Sequence, residues 1–213
     1  DAMSDANFRR MSDSDFSVKD VLDGIHHALD AGFRRVKVNM VVRKGWNEDE
    51  VIDMVSYFRQ LPVALRFIEY MDVGASNGWN MQEVVSSNTL LEKIRQAGNT
   101  LLALPAESDS DTAIRWQHQD APGEIGFISS ISQPFCNSCS RLRLSTDGKI
   151  YTCLFASEGY DLRTLLQSGA DKQALQEALT GIWQQRDDRY SAIRTEAGAG
   201  TRRERIEMSY IGG

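Results

Sequence analysis

The chain has only three cysteines, Cys136, Cys139 and Cys153, and they fall within eighteen positions of one another. Cys136-x2-Cys139 puts two thiols on one tight loop, and x13 then returns the third across a hairpin signalled by Thr146-Asp147-Gly148. Closely spaced thiolates are soft ligands that suit zinc and iron–sulfur clusters alike. An odd number of cysteines cannot pair fully within one chain. With no basic-then-apolar leader, the pattern suggests a reducing, cytoplasmic compartment. The fourth ligand separates the two metals. Structural zinc is nearly always four-coordinate, and the nearest histidine, His118, lies eighteen residues before the loop, where it reads as an exposed strand residue. A 4Fe–4S cluster has four irons, so three thiolates hold it and leave one iron open. Three unrelated thiols are the blander alternative.

Cations stand beside this motif. Arg141 and Arg143 are two apart on a strand expected over 141–145, which would point both to one face. Paired guanidiniums offer forked donors suited to phosphate oxygens. Alone they would read as a solvated strand face; next to an open iron they favour an anionic substrate. Lys37 sits inside another expected strand, a costly place unless it faces a lumen or a partner, or blunts a sheet edge. The 24 Lys+Arg against 30 Asp+Glu give a net charge of −6, which weighs against a nucleic-acid partner bound through a broadly basic surface. No apolar run nears the ~18 residues of a spanning helix, so no membrane role is expected. A hydrophobic content of 41% excludes a disordered chain, and three cysteines exclude a disulfide scaffold.

The elements that must position these residues follow from periodicity. Ser17-Val18-Lys19-Asp20 forms a capping box with Asp in the acceptor place, and apolar residues at three-and-four spacing run on to Leu29 before Gly32 closes the helix. Val36–Val42 and Leu65–Tyr70 are β-rich runs flanking an amphipathic helix over 47–60. Helix, strand, helix, strand is α/β grammar with a parallel sheet. Two such units are too few for a sheet covered on both faces, so open edges and a self-association hazard are expected. Further on, a short helix spans 90–96, strands over 113–119 and 124–130 pair around Ala121-Pro122-Gly123, and 141–145 pairs with 149–153. Helices over 161–167 and 171–185 follow. The opening residues 1–15 are polar with no assigned element. The domain boundary is placed near residue 85.

The motifs together resemble a known family. Phe135-Cys136-Asn137-Ser138-Cys139-Ser140-Arg141-Leu142-Arg143-Leu144, then Asp147-Gly148-Lys149 and Cys153-Leu154-Phe155, resemble the C-terminal cluster motif of the GTP 3′,8-cyclases. These are radical S-adenosylmethionine (SAM) enzymes that begin molybdenum cofactor biosynthesis. The likeness extends over Val36-Lys37-Val38-Asn39, Lys44-Gly45, Arg66 through Asp72, Trp183 through Ser191 and the terminal Tyr210-Ile211-Gly212-Gly213. It implies an α/β fold in which residues 1–85 are the C-terminal part of an open, TIM-like radical SAM barrel. Residues 86–213 would then be an α+β domain for an auxiliary 4Fe–4S cluster and GTP. By the same resemblance Cys136, Cys139 and Cys153 hold that cluster and its open iron takes the guanine of GTP. Lys37, Arg141, Leu142 and Arg143 contact GTP, and Met71 contacts SAM. Lys37 and Met71 are then expected at the edge where barrels place ligands. A 5′-deoxyadenosyl radical takes the ribose 3′ hydrogen, and the ribose radical attacks C8 of the purine. Gly212 and Gly213 thread into the cavity to help this step, with Met208 to Ile211 as an anchor.

The radical-generating CxxxCxxC motif and its cluster are absent from these 213 residues. The chain is therefore expected to be a fragment cut at its front, without radical chemistry alone. Two other readings stay open: the auxiliary-cluster domain of a different radical SAM enzyme, and a non-enzymatic zinc module. The oligomeric state is open as well, a homodimer included.

Overall fold

The computed structural model describes residues 1–74, 77–194 and 206–211. The chain divides into two compact units, Asp1–Met71 with Trp79–Pro134, and Asp72–Gly78 with Phe135–Gly213.

The first unit is built on a mixed sheet. Its strands are β1 (Val36–Val42), β2 (Val63–Glu69), β3 (Leu101–Ala103), β4 (Ile114–His118) and β5 (Glu124–Ile128), in the order β1-β2-β5-β4-β3. β1, β2 and β5 run parallel, and the β5–β4 and β4–β3 pairs are antiparallel. The helices are α1 (Asp5–Ser12), α2 (Val18–Asp30), α3 (Val51–Phe58) and α4 (Ser87–Gln96). Alternation along the strands sends Met40, Val42, Leu65, Phe67, Ile125 and Phe127 to one face. There they pack with Met54, Val55 and Phe58 of α3 and Leu90 and Ile94 of α4. The Phe67 and Phe127 rings stack at 5.8 Å between centroids.

Local signals explain why these segments fold as they do. The α2 capping box is complete: Asp20 N–H donates to Ser17 Oγ at 3.2 Å and Ser17 N–H to Asp20 Oδ2 at 3.1 Å. Gly32, at φ +86°, ends the helix in the left-handed region. The expected helix over 47–60 starts as a 3-10 turn at Glu48–Glu50 and becomes α3 only at Val51.

Three departures matter. The polar opening contains α1, capped by Ser4 and held by Glu50, which accepts from Ser4 N–H at 3.0 Å and Asn7 Nδ2 at 2.6 Å. Secondly, β2 is not left open, because β5 pairs with it in parallel from Ala64↔Glu124 to Ile68↔Ile128. This pairing carries residues 79–134 into the first unit, so the compact units do not part near residue 85. The edges of this sheet are β1 and β3, and part of the β1 edge is used: Val41 N–H donates to Asp1 Oδ1 at 2.7 Å, and Val41 O accepts from Asn47 Nδ2 at 2.8 Å. Finally, the β4–β5 turn is pressed onto α3. Gly123 N–H donates to Arg59 O at 3.0 Å, and a Cβ there would stand 2.7 Å from the carbonyl oxygens of Phe58 and Arg59. Gly123→Ala should therefore cost about 1–3 kcal/mol, seen as a lower urea midpoint with an unchanged slope. An unchanged midpoint would mean that the turn can move off α3.

The second unit holds a three-stranded antiparallel sheet, β6 (Arg143–Leu144), β7 (Lys149–Tyr151) and β8 (Tyr160–Asp161). Helices α5 (Arg163–Gln167), α6 (Lys172–Gln184) and α7 (Tyr190–Ile193) follow. The hairpin turn is the one the sequence signals: Gly148 has φ +84° and its N–H donates to Ser145 O at 3.0 Å. The hairpin is shorter than 141–145 with 149–153, which leaves Arg141 and Cys153 outside the strands. Residue 161 belongs to β8, so the helix expected over 161–167 starts two residues later. Among the described residues no helix is long and apolar enough to cross a membrane.

Candidate functional site

The cysteine loop begins where the second stretch of that unit begins. Cys136–Ser138 is a 3-10 turn closed by Cys139 N–H donating to Cys136 O at 3.3 Å, which holds the first two thiols on one loop. Cys153 follows β7, and its sulfur accepts from Phe155 N–H at 3.4 Å. All three are free, half-exposed thiols.

Guanidiniums surround them. Arg141 Nε lies 3.3 Å from Cys139 Sγ, with Arg141 Cζ 5.0 Å from the Phe135 ring centroid. Arg186 donates to the Cys139 carbonyl and pairs with Asp188 at 3.2 Å. Burial pushes the Cys139 thiol up, but hydrogen bonds from the Arg141 backbone and side chain, with the charges of Arg141 and Arg186, outweigh it and hold the thiol below its ordinary value. Cys153 goes the other way: burial raises it, and the hydrogen bond from Phe155 only partly offsets this. Burial and the neighbouring charge of Arg141 lower Arg143, while Cys139 and Cys153 oppose them. What makes the loop one site is its geometry: one turn carries Cys136 and Cys139, Arg141 reaches the Cys139 sulfur, and Arg186 binds the carbonyl of the same residue. Among the described residues, no three His, Cys, Asp or Glu side chains converge on a single metal ion.

The expected common strand face of Arg141 and Arg143 does not form, because only Arg143 is in β6. Arg141 turns instead to the sulfur of Cys139. Leu142 between them is exposed. His118 is also not an exposed strand residue. It is buried at the end of β4 in the first unit, where burial, and then Arg59, pull its pKa below the ordinary value.

Lys37 and Met71 belong to the first unit. Met71 lies just beyond β2, half-buried, at the C-terminal end of a parallel strand. Lys37 is the second residue of β1, near the N-terminal end of its strand rather than at the C-terminal rim. It is exposed on the sheet face opposite the core, in register with Ala64. The same face carries Asn39, Arg66, Arg115 and Glu124, and a cavity of about 440 Å³ is lined by Lys37, Arg66, Arg115 and Glu124 among others. Arg115 is forked onto Glu124 at 2.8 Å through both Nε and Nη2, which raises it above its ordinary value. Arg66 lies across Gly126, whose missing side chain makes room for it, and its Nε has no hydrogen-bond partner. The signal for Arg66 was available in the sequence: a lone cation between Leu65 and Phe67 in a strand otherwise apolar up to Glu69.

The tail approaches the hairpin. Ile211 is 1% exposed, and Asp147 in the hairpin turn accepts from the Tyr210 hydroxyl, whose pKa is pushed up to about 12 by that bond. The anchor expected over 208–211 thus rests on the burial of Ile211 and on the Tyr210 hydroxyl bond to Asp147, while Met208 and Tyr210 are themselves exposed. Gly212 and Gly213 lie outside the described residues.

Comparison with known proteins adds an independent line. Residues 63–192 match the family described as Molybdenum Cofactor Synthesis C. Curated relatives named GTP 3′,8-cyclase include one from Xanthomonas axonopodis pv. citri, 47% identical over 213 residues, all of this chain and 62% of the relative. Those from Staphylococcus saprophyticus and Acidothermus cellulolyticus are 42% and 39% identical, again over the whole chain and 63% and 65% of their own lengths. The chain therefore spans somewhat under two thirds of the curated relatives it matches. The family match takes in β2, β5 and the whole cysteine loop, more than half of the sequence, and the chain belongs to the Molybdenum Cofactor Synthesis C family.

Proposed function

We propose that this chain is part of a GTP 3′,8-cyclase, which converts GTP to (8S)-3′,8-cyclo-7,8-dihydroguanosine 5′-triphosphate in molybdenum cofactor biosynthesis. The supporting observation is the cysteine loop, where Cys136 and Cys139 share one turn, Arg141 Nε lies 3.3 Å from the Cys139 sulfur, and the β6–β7 hairpin leads on to Cys153 within the same unit. The donor set fits a 4Fe–4S cluster held by Cys136, Cys139 and Cys153. Three soft thiols with no fourth cysteine in the sequence suit a cluster with one open iron better than a four-coordinate structural zinc. When bound, that group supplies one open iron to a nucleobase donor.

The remaining work falls to the chain's own side chains. Arg141 and Arg143 present forked donors beside the thiols, and the reading gives them the phosphates of GTP, with Leu142 as an apolar contact. Lys37, on the polar face of the first unit's sheet, is a further GTP contact, and Met71 is the SAM contact. Both roles rest on the family resemblance. The same reading makes that sheet the C-terminal part of an open radical SAM barrel, with SAM and a second cluster served by sequence outside these 213 residues. Gly212 and Gly213 are proposed to enter the substrate cavity beyond the Ile211 anchor, where residues without side chains avoid a clash.

Product analysis of the full-length protein, given GTP, SAM and a reductant without oxygen, tests the assignment; no cyclised nucleotide would sink it. A finer test concerns the arginines. Arg141→Ala and Arg143→Ala should each weaken GTP binding roughly ten- to a hundred-fold by calorimetry while guanosine binding changes little, because charge-assisted contacts carry the difference. Equal losses for GTP and guanosine would move these side chains off the phosphates.

A further inference from the structure

A second polar assembly in the cysteine unit lies behind Cys153. Asp72 is 6% exposed and joins the short stretch 72–78 to the rest of the unit. Its Oδ2 accepts from the Tyr190 hydroxyl at 2.6 Å, and its Oδ1 pairs with Arg194 Nη2 at 2.8 Å. Arg194 is also buried, and its guanidinium carbon lies 5.1 Å from the Phe155 ring centroid and 5.3 Å from that of Tyr190. The Phe155 and Tyr190 rings pack against each other at 4.7 Å. Phe155 in turn gives its backbone N–H to the sulfur of Cys153. A continuous path therefore runs from one buried carboxylate to one thiol.

Packing alone would not call for this path. A buried ion pair gives up hydration that apolar residues of similar volume would never have had to lose, so it is weak evidence of stability for its own sake. Here the buried charges fix a ring whose own amide orients a sulfur. We propose that Asp72 is a positioning residue for Cys153: through Tyr190 and Arg194 it locks Phe155, and Phe155 holds the thiolate in the orientation needed to ligate iron. Asp72 touches neither iron nor substrate in this role. Partners that orient a ligand carry much of a metal site's affinity, and their loss typically costs roughly ten- to a hundred-fold.

The inference rests on the cluster reading of the three cysteines, and the experiment separates the two. The full-length protein is loaded with iron and sulfide without oxygen, then treated with iodoacetamide, and labelling of each cysteine is followed by peptide mass spectrometry. In the parent protein all three should be protected. In Asp72→Asn, labelling of Cys153 should accelerate roughly ten- to a hundred-fold and run ahead of Cys136 and Cys139. Tyr190→Phe should show the same order, and Asp72→Glu should restore part of the protection. Unchanged protection in Asp72→Asn would overturn the positioning role. So would an equal rise at all three cysteines in step with a lowered melting temperature, the mark of a merely structural residue. A parent protein that takes up no iron would remove the cluster reading, and this inference with it.

Discussion

Serine at position 153 should remove one cluster's worth of iron and sulfide per chain after anaerobic reconstitution, with the matching loss of visible absorption. Cys136 and Cys139 share one short turn. Cys153 is the only thiol brought from the far side of the β6–β7 hairpin, and its sulfur is already oriented by Phe155 N–H. A serine hydroxyl in its place is a harder donor and is far less readily deprotonated, so it does not replace a soft thiolate on iron. The hairpin itself should survive, since its turn depends on Ser145 and Gly148 and its burial on Ile150 and Tyr151. Loss of iron with an unchanged circular dichroism spectrum is therefore the expected pair of results. Full iron content in Cys153→Ser would show that the third ligand comes from elsewhere and that x13 is coincidence.

What the sequence disclosed depended on the range of each signal. The α2 capping box, the parallel β1–β2 pair and the Thr146-Asp147-Gly148 turn are written within a few neighbouring residues, and each forms as expected. The contribution of β5 to the parallel sheet is not written locally. Residues 124–128 read as half of a hairpin, which they are, yet nothing near them says that their other edge pairs with a strand some sixty residues earlier. That single long-range pairing is why the compact units do not divide near residue 85. The candidate site behaved similarly. The spacing of the cysteines and the nearness of Arg141 and Arg143 were legible, but the geometry was not: a shared strand face was expected, whereas only Arg143 is in β6 and Arg141 turns to the sulfur of Cys139. Asp72 and Arg194 are 122 positions apart, so no reading of spacing could have joined them.

Glu69 lies in the stretch from Arg66 to Asp72 that carries part of the family resemblance, yet its surroundings give it an architectural task. Its side chain is 1% exposed at the end of β2. Oε1 accepts from Ser87 N–H at 2.8 Å, Ser87 Oγ at 3.0 Å and Ser132 Oγ at 2.6 Å, and Oε2 accepts from the N–H groups of Ile131 and Ser132, each at 2.8 Å. One carboxylate thereby satisfies the first turn of α4, which lacks helical partners for its amides, together with the chain after β5. Glu69→Ala would strand three buried or half-buried amides and two hydroxyls. At 1–3 kcal/mol for each unsatisfied group, with some recovered by water, the net loss should be on the order of 5 kcal/mol. That equals much of the whole stability of an ordinary domain, so the variant should be largely unfolded or melt far below the parent. Glu69→Gln is the sharper test. It keeps the volume but turns one acceptor into an NH₂ that must face donors, so it too should lose a large part of that stability. A Gln variant melting with the parent would show that the five contacts are dispensable, and would send Glu69 back to the site chemistry as the reason for its place in the motif.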